Sequence, residues 1–361
     1  MAANLPSMSD SPTPAVTGAS PSAVHQQLRT LLCRLGDAIR DHLLATRHRH
    51  STEELSGVAE ITVADTIYGI DKIGEHAIIK WFSSHWPSSL PAEIVMEGLE
   101  GRPPLTFPTG TPPQRTDWKI IIDPIDGTRP LMYDKRPAWS LAAAAPQRGT
   151  ANHLGDLVVA AMTELPTSKQ WRADQFSAVR GCGPGGLVAE AVDVRLGTRS
   201  PLTPRPSQAL DLRHGFAALV KFFPVAKAFT ARLEEELFTS MGCSGADGGP
   251  PVFDDQYIST GGQLHEMLAG RDRVLADLRP LIFRHLGLPD ALSCHPYDIC
   301  TALIFSEAGG CIEAPDGSPL SSPLDTTTPV AWVAYANPAL AALVRPRLLE
   351  ILHRHGLLPA R

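Results

Sequence analysis

The sequence predicts an α/β protein built from layers of helices and sheets. Three observations indicate this class: an amphipathic helix comes first, a series of strand-like apolar runs follows, and strands and helices then alternate. Such alternation is typical of layered α/β folds. The 361 residues are enough for one large or two ordinary domains with sizeable cores.

The N-terminal part is predicted to hold a tail and two helices. Residues 1–22 are rich in Ser, Pro and Ala and lack a basic start, so we expect a disordered tail and no signal peptide. The first helix ends in the basic run 47–50, whose charge suits a helix C-terminus. Its apolar positions recur at helical spacing: Val24, Leu28, Leu31, Leu32, Leu35, Ile39 and Leu43. A second helix is predicted from about Ile67 to Ser84.

Strands dominate the middle of the chain. They are predicted at 93–96, 118–122, 138–144, 157–165, 170–179 and 187–194. A linker rich in Pro and Ser at 197–208 then breaks the pattern. We therefore expect an N-terminal α+β domain over residues 23–200 and a C-terminal α/β domain over residues 201–361.

The C-terminal half alternates between the two kinds of element. Strands are predicted at 216–221, 274–277 and 330–335, and helices at 225–240, 263–268, near Asp298 and from Pro338 onward. This alternation is the main support for α/β layering.

The most informative segment is WKIIIDPIDGT, from Trp118 to Thr128. Its apolar residues predict a strand covered on both faces, and the Pro and Gly after it predict a sharp turn. Asp123 and Asp126 emerge there, and two neighbouring carboxylates repel each other unless a cation lies between them. Hard oxygen ligands of this kind suit Mg²⁺. Taken alone, Asp-Pro and Asp-Gly are also ordinary turn sequences, so a structural turn is an equal alternative.

Bulk properties argue against several classes of function. The formal net charge of -6 is not arranged in blocks, so we expect no nucleic-acid partner. No apolar run reaches the roughly 18 residues of a membrane span, so we expect no membrane partner. The six cysteines form no Cys-x-x-Cys pair and no zinc spacing, which predicts reduced thiols in a cytoplasmic protein.

A second motif lies far downstream. HPYDICTALIFSEAGG, from His295 to Gly310, places Asp298 at the start of an apolar helix that stops at a Gly pair. Together the two motifs resemble the inositol monophosphatase family of Mg²⁺-dependent phosphatases, whose superfamily includes fructose bisphosphatase. The resemblance extends from about Leu55 to the C-terminus.

The resemblance implies a five-layer αβαβα sandwich of the sugar phosphatase type, with the active site where the two halves meet. It also implies two Mg²⁺ ions per site, and often a loosely held third. Glu97, Asp123 and the carbonyl of Ile125 would hold the first ion, and Asp123, Asp126 and Asp298 the second. Family members are inhibited by lithium, and the resemblance allows a homodimer.

The resemblance also assigns the catalytic roles. Thr128 accepts a proton from the attacking water, Asp71 orients its hydroxyl, and Glu97 helps to activate the water. The second Glu of the family motif is Gly98 here. On residue grounds alone, Asp71 is equally the polar face of the second helix, and Glu97 is a solvated acid at a strand end.

Four residues are expected to bind the substrate. The amides of Gly127 and Thr128 can cradle phosphate oxygens. Arg129 would clamp a phosphate or a second anionic group, or else be a surface charge. Gly262 lies where the family presents small residues and backbone amides to the substrate.

The identity of the substrate stays open. The hydroxyl-binding Glu of simple inositol monophosphatases has no counterpart at its spacing, and Asp277 or Asp290 is a candidate replacement. We predict a Mg²⁺-dependent phosphomonoesterase for a small cyclitol, sugar or related phosphate. A fructose bisphosphatase or phosphoadenosine phosphatase activity is the alternative, and a non-catalytic binding module on the same fold is less favoured.

A competing motif is rejected. GCGPGG at 181–186 formally matches G-x-G-x-x-G. However, Pro184 and the strand-like residues after it deny the strand-turn-helix context that a dinucleotide fingerprint requires.

Overall fold

The computed structural model describes residues 20–47, 58–61, 66–99, 101–243, 245, 251–288 and 292–359, without the side chains of 58–61 and 66–74. The predicted tail 1–22 therefore lies mostly outside the described residues, as do residues 48–50 of the basic run and Asp290. Among the described residues, no helix has both the length and the apolar character needed to cross a bilayer.

The N-terminal elements lead into an eight-stranded sheet. They are α1 (Ala23–Arg47), β1 (Val58–Ile61), β2 (Thr66–Tyr68), α2 (Gly69–His85), β3 (Ala92–Met96), β4 (Leu105–Phe107), β5 (Trp118–Asp126), α3 (Thr128–Met132), β6 (Ala138–Pro146), β7 (Val159–Leu165), β8 (Arg172–Val179), β9 (Val188–Asp193) and β10 (Arg199–Pro201). The strand order is β10-β9-β8-β7-β6-β5-β3-β4, and β1 and β2 form a separate hairpin. Neighbouring strands are antiparallel except β3 and β5, which are parallel.

The C-terminal elements form a five-stranded sheet and its helices. They are β11 (Gly215–Leu219), α4 (Lys227–Ser240), β12 (Val252–Phe253), α5 (Thr260–Leu268), β13 (Asp272–Asp277), α6 (Arg279–His285), α7 (Pro296–Ile299), α8 (Ala302–Glu307), β14 (Cys311–Glu313), β15 (Trp332–Tyr335) and α9 (Pro338–Arg354). The order is β12-β11-β13-β15-β14, with β12, β11 and β13 parallel and the other pairs antiparallel.

The helices and the two sheets form five layers, which confirms the predicted fold class. Helices α1 and α2 pack on the outer face of the first sheet, and α5, α7 and α8 contact its other face. Helices α5 and α8 also contact the second sheet, whose outer face is covered by α4 and α9.

Strand β5 separates two hydrophobic cores. Ile120 and Ile122 pack into the core that contains Leu28 and Phe82 beneath the outer helices. Ile121 points the other way, into the core shared with the second sheet. Side chains alternate between the two faces of a strand. Since a core covers each face of β5, every residue of this strand is buried, as its apolar run predicts.

Several boundaries differ from the prediction for local reasons. Residues Thr66–Tyr68 pair with β1, so the second helix begins at Gly69 and not at Ile67. The predicted linker 197–208 contains the edge strand β10, where a proline is tolerated at the sheet edge. The domain division at residue 200 stays a prediction.

The helix predicted around Asp298 is split in two. Helix α7 ends at Ile299 and α8 begins at Ala302, so Cys300 and Thr301 separate the two helices. Helix α8 then ends at Glu307, shortly before Gly309. Gly309 has a φ of +94°, which favours glycine and explains the predicted stop. Strand β4 and helix α6 were not predicted, because both are short and lack a clear period.

The packing of α1 on the sheet depends on a glycine. A Cβ on Gly36 would lie 2.1 Å from Thr163 Oγ1, and that oxygen already accepts a hydrogen bond from Gln175. Overpacking costs about 1–3 kcal/mol and exceeds the roughly 1 kcal/mol gained from alanine's helix propensity. We therefore expect Gly36→Ala to lower the free energy of unfolding by up to about 2 kcal/mol in chemical denaturation.

The matched control for this substitution is Gly155→Ala, because a Cβ on Gly155 meets no atom within 4 Å. It should change the free energy of unfolding by less than about 0.5 kcal/mol. Equal effects of the two substitutions would contradict the packing account.

Candidate functional site

Parallel strand pairing brings acidic residues to one sheet edge. The carboxyl ends of parallel strands lie on the same side, and Met96, the last residue of β3, pairs with Ile122 of β5. Glu97 follows directly, and its N–H donates to the Ile122 carbonyl at 3.3 Å. Glu97 and Asp123 therefore emerge side by side.

The next residue stands where the family motif has its second Glu. Gly98 has a φ of +83°, a conformation that favours glycine over residues with a Cβ. The turn after β3 in this chain therefore suits the glycine.

Strand β5 carries both of its aspartates before the chain turns. The pairing with β6 is irregular between Asp123 and Asp126, so both carboxylates reach the same end of the strand. The Ile125 N–H donates to Asp123 Oδ1 at 3.0 Å. Gly127, with a φ of +94°, then reverses the chain. Thr128 begins α3, and its hydroxyl donates to the Ile125 carbonyl at 2.7 Å.

Asp126 is held by the first residues of helix α5. Its Oδ2 accepts from Ser259 Oγ at 2.9 Å and from the Gly261 N–H, and its Oδ1 accepts from the Thr260 N–H at 3.2 Å. A Cβ on Gly261 would lie 3.0 Å from Asp126 Oδ2. The acid therefore ties the first sheet to the helix between the sheets.

Asp298 completes the cluster from helix α7. Its Oδ2 accepts from the His295 N–H at 2.5 Å, which caps the helix and fixes the carboxylate. Asp123, Asp126 and Asp298 each offer a carboxylate oxygen, and these oxygens lie within 4.8 Å of one another.

The protein environment disfavours the charged forms of two of these acids. Burial, with the charges of Glu97, Asp126 and Asp298, raises the pKa of Asp123 well above its usual value. Burial raises the pKa of Asp126 to about 6, although three hydrogen bonds from α5 oppose the shift. A carboxyl with a raised pKa favours folding while it is protonated. The contribution of Asp126 to the stability of the metal-free chain is therefore lost as the pH rises from 3.8 through about 6.

The donor set fits a hard divalent cation. Buried carboxylate oxygens that repel one another are relieved by Mg²⁺, which binds through a few carboxylates and otherwise through water or phosphate oxygens. Asp123, Asp126 and Asp298 are the residues that would hold it. Glu97 and the Ile125 carbonyl lie in the same cleft.

The carboxylates line one wall of a cleft. The opposite wall comes from the second sheet, where β11 and β13 are parallel and end on the same side. Phe222 and Phe223 follow β11, and Arg279 follows β13. The half-buried Arg129 contributes from the turn after β5, with its guanidinium carbon 5.8 Å from the centre of the Phe223 ring.

The structure brings most of the predicted site residues into this cleft. Those that line it are Glu97, Asp123, Ile125, Asp126, Gly127, Thr128, Arg129 and Asp298. Gly262 does not: its N–H donates to Ser259 Oγ at 2.8 Å, and a Cβ would collide with the Tyr257 ring. Asp71 lies in α2, but its side chain is outside the described residues.

Of the two acids considered as replacements for the hydroxyl-binding Glu, the structure describes only one. Asp277 is 1% exposed and forms an ion pair with Arg279. Asp290 is outside the described residues. Sequence reasoning did not single out Arg279, Phe222 or Ser259, although the Ser before the α5 segment was a readable N-cap signal.

Known structures of the same fold were found by comparison. Fructose-1,6-bisphosphatase of Leishmania major, in holo form, has a TM-score of 0.62 at 14% identity, covering 93% of this chain and 100% of that one. Extragenic suppressor protein SuhB of Bartonella henselae has a TM-score of 0.58 at 15% identity, covering 89% and 98%. Inositol monophosphatase of Anabaena (Nostoc) has a TM-score of 0.55 at 15% identity, covering 91% and 96%.

Comparisons of the sequence alone gave no such relationship. No family model matches the chain, and no curated protein matches it. The similarity therefore lies in the arrangement of the elements and not in overall identity. The chain therefore has the same fold as the solved inositol monophosphatase and fructose-1,6-bisphosphatase structures.

Proposed function

We propose that the chain is a Mg²⁺-dependent phosphomonoesterase that hydrolyses a small cyclitol, sugar or related phosphate. The observation that carries this proposal is the convergence of Asp123, Asp126 and Asp298 within 4.8 Å in an open cleft. Thr128 and two arginines line the same cleft. Solved structures of the same fold include an inositol monophosphatase and a fructose-1,6-bisphosphatase, which supports hydrolysis of a phosphate ester.

The acids are proposed to hold two metal ions, with a third bound loosely. Glu97, Asp123 and the Ile125 carbonyl form one set of ligands, and Asp123, Asp126 and Asp298 form the other. When bound, Mg²⁺ acidifies water and offsets the negative charge of the phosphate. The fixed carboxylates determine where both effects act, because the hydrogen bonds from Ile125, α5 and His295 leave them little freedom.

Thr128 is proposed to relay the proton of the attacking water. A threonine hydroxyl is a weak base, so this role makes sense only beside water that a cation has acidified. Its hydrogen bond to the Ile125 carbonyl holds the hydroxyl next to a proposed metal ligand. Asp71 is proposed to orient the hydroxyl in the relay, where Thr128 would turn its own proton from the Ile125 carbonyl to the Asp71 carboxylate and pass it on as it takes one from the water.

Phosphate release is expected to require Mg²⁺. Assayed on a panel of phosphate monoesters, the chain should turn over with added Mg²⁺, lose activity in a chelator, recover on readdition, and be inhibited by Li⁺. Full turnover after exhaustive chelation would rule out the metal mechanism. Absence of turnover with every ester in Mg²⁺ would contradict the proposed function.

The same phosphate-release assay tests the role of Asp123 through the substitution Asp123→Asn. It should abolish activity, since Asp123 is assigned to both ions, and should stabilise the metal-free chain at a pH where the acids are charged, by removing like-charge repulsion. Asp272→Asn is the control, because this buried acid also has a raised pKa but does not line the cleft. Asp272→Asn should keep activity, and equal losses in both variants would contradict the assignment of Asp123 as a metal ligand.

Substitutions of Thr128 distinguish its proposed role in proton transfer from a role in metal binding. Thr128→Ala should lower kcat by roughly 10²–10⁴-fold, the usual scale of general acid–base catalysis, with little change in Mg²⁺ affinity. Thr128→Ser keeps the hydroxyl and should retain much of the activity. In steady-state kinetics, the kcat of Asp71→Asn should fall between those of the two Thr128 variants.

The double variant of Thr128 and Asp71 tests whether the two act as one unit. Its loss should be smaller than the sum of the single losses in free energy. Fully additive losses would mean that Asp71 acts independently, as the polar face of α2.

A further inference from the structure

Arg279 is held unusually firmly for a residue that lines a cleft. It is 8% exposed, and its Nε donates to Asp277 Oδ1 at 2.8 Å while Nη2 donates to Oδ2 at 2.5 Å. Its Nη1 donates to the Leu292 carbonyl. These contacts fix the plane of the guanidinium, so little side-chain entropy of Arg279 is lost when a ligand binds.

An aromatic wall covers this guanidinium. The Arg279 guanidinium carbon lies 4.8 Å from the centre of the Phe222 ring and 5.7 Å from that of Phe223. The two rings are in edge contact with centres 4.8 Å apart. Aromatic faces attract the cation and exclude water from it. A charged hydrogen bond formed here is therefore stronger than one made at an exposed arginine.

Arg279 keeps hydrogen-bonding capacity for a ligand. A guanidinium has five N–H groups, and within the described residues three of them are engaged, by Asp277 and the Leu292 carbonyl. The remaining two are on the terminal nitrogens. An anion with two oxygens can accept from both at once.

A second polar group beside Arg279 also lacks a partner. Ser293 is 8% exposed and lines the cleft, and its Oγ has no hydrogen-bond partner within the described residues. Ser293 follows Leu292, whose carbonyl binds Arg279. A buried hydroxyl without a partner costs about 1–3 kcal/mol. Because this oxygen has almost no accessible surface, a ligand at this end of the cleft would supply the missing partner once the Ser293 side chain rotates toward it.

We propose that Arg279 and Ser293 form a subsite for a second anionic group, a carboxylate or a phosphate, on the leaving group of the substrate. The subsite rests on the proposed function, because the phosphate to be cleaved occupies the carboxylate end of the cleft. Arg129, which also contacts Phe223, adds positive charge at this wall. The ion pair with Asp277 fixes the position of Arg279, and its charge also acts on Asp126 and Asp298 across the cleft.

The subsite predicts a preference that kinetics can measure. Short-chain alkanediol bisphosphates, compared with the monophosphates of the same diols, should show a kcat/KM about ten-fold higher or more in Mg²⁺, after correction for two equivalent ends. Arg279→Lys keeps the positive charge but loses the paired N–H donors of the planar guanidinium, and should lower this preference about ten-fold. Ser293→Ala should lower it by a smaller factor. Thermal unfolding shows whether each variant is folded.

The matched control for Arg279→Lys is Arg136→Lys. Arg136 also pairs with an aspartate, Asp255, and lies 5.0 Å over the ring of Tyr257, but it does not line the cleft. This control should leave the preference unchanged. If Arg279→Lys lowers kcat/KM equally for both kinds of ester, Arg279 binds the reacting phosphate and the subsite is wrong.

A binding measurement separates the two proposals. Calorimetric titration of the metal-loaded chain with hydrolysis-resistant alkane bisphosphonates and hydroxyalkyl phosphonates should show the same ten-fold preference, lost in Arg279→Lys. Binding preference without turnover of any ester would overturn the phosphatase proposal and leave the subsite standing. Turnover without any preference would overturn the subsite alone.

Discussion

The crowding of three carboxylates at the end of strand β5, two of them buried, is the constraint on which the rest of the site depends. Their mutual repulsion and desolvation are unfavourable, as the raised pKa values of Asp123 and Asp126 show. The fold opposes this with hydrogen bonds from the Ile125 N–H, from the first residues of α5 and from the His295 N–H. Such a cluster is poorly suited to the metal-free state and well suited to a divalent cation.

The same constraint explains how the two sheets are joined. Strand β5 belongs to the first sheet and packs into both cores, so its position is set from both sides. Asp126 reaches across to α5, which also contacts β13 of the second sheet. The cleft therefore has an acidic wall from one sheet and a wall of arginine and phenylalanine from the other. The proposed substrate, with negative charge at both ends, would match this cleft only when cations cover the acidic wall.

The sequence predicted the acidic wall better than the opposite one, and the reason is physical. Asp123, Asp126 and Thr128 lie within one strand and turn, so local patterns reveal them, and Asp298 was found through a second local motif. Arg279 and Phe222 gain their roles only because parallel strands of the second sheet end together, which no short segment records. The layered fold was predicted from alternation, whereas short elements such as β4, β10 and α6 have too few residues to show a period.

The central claim is that this carboxylate cluster is a metal centre, and the most direct test is anomalous diffraction from crystals grown with Mn²⁺, which takes the same oxygen ligands as Mg²⁺. The account predicts anomalous peaks roughly 2.1 Å from carboxylate oxygens of Asp123, Asp126 and Asp298. A peak elsewhere, or an empty cluster at a Mn²⁺ concentration that supports turnover, would contradict it.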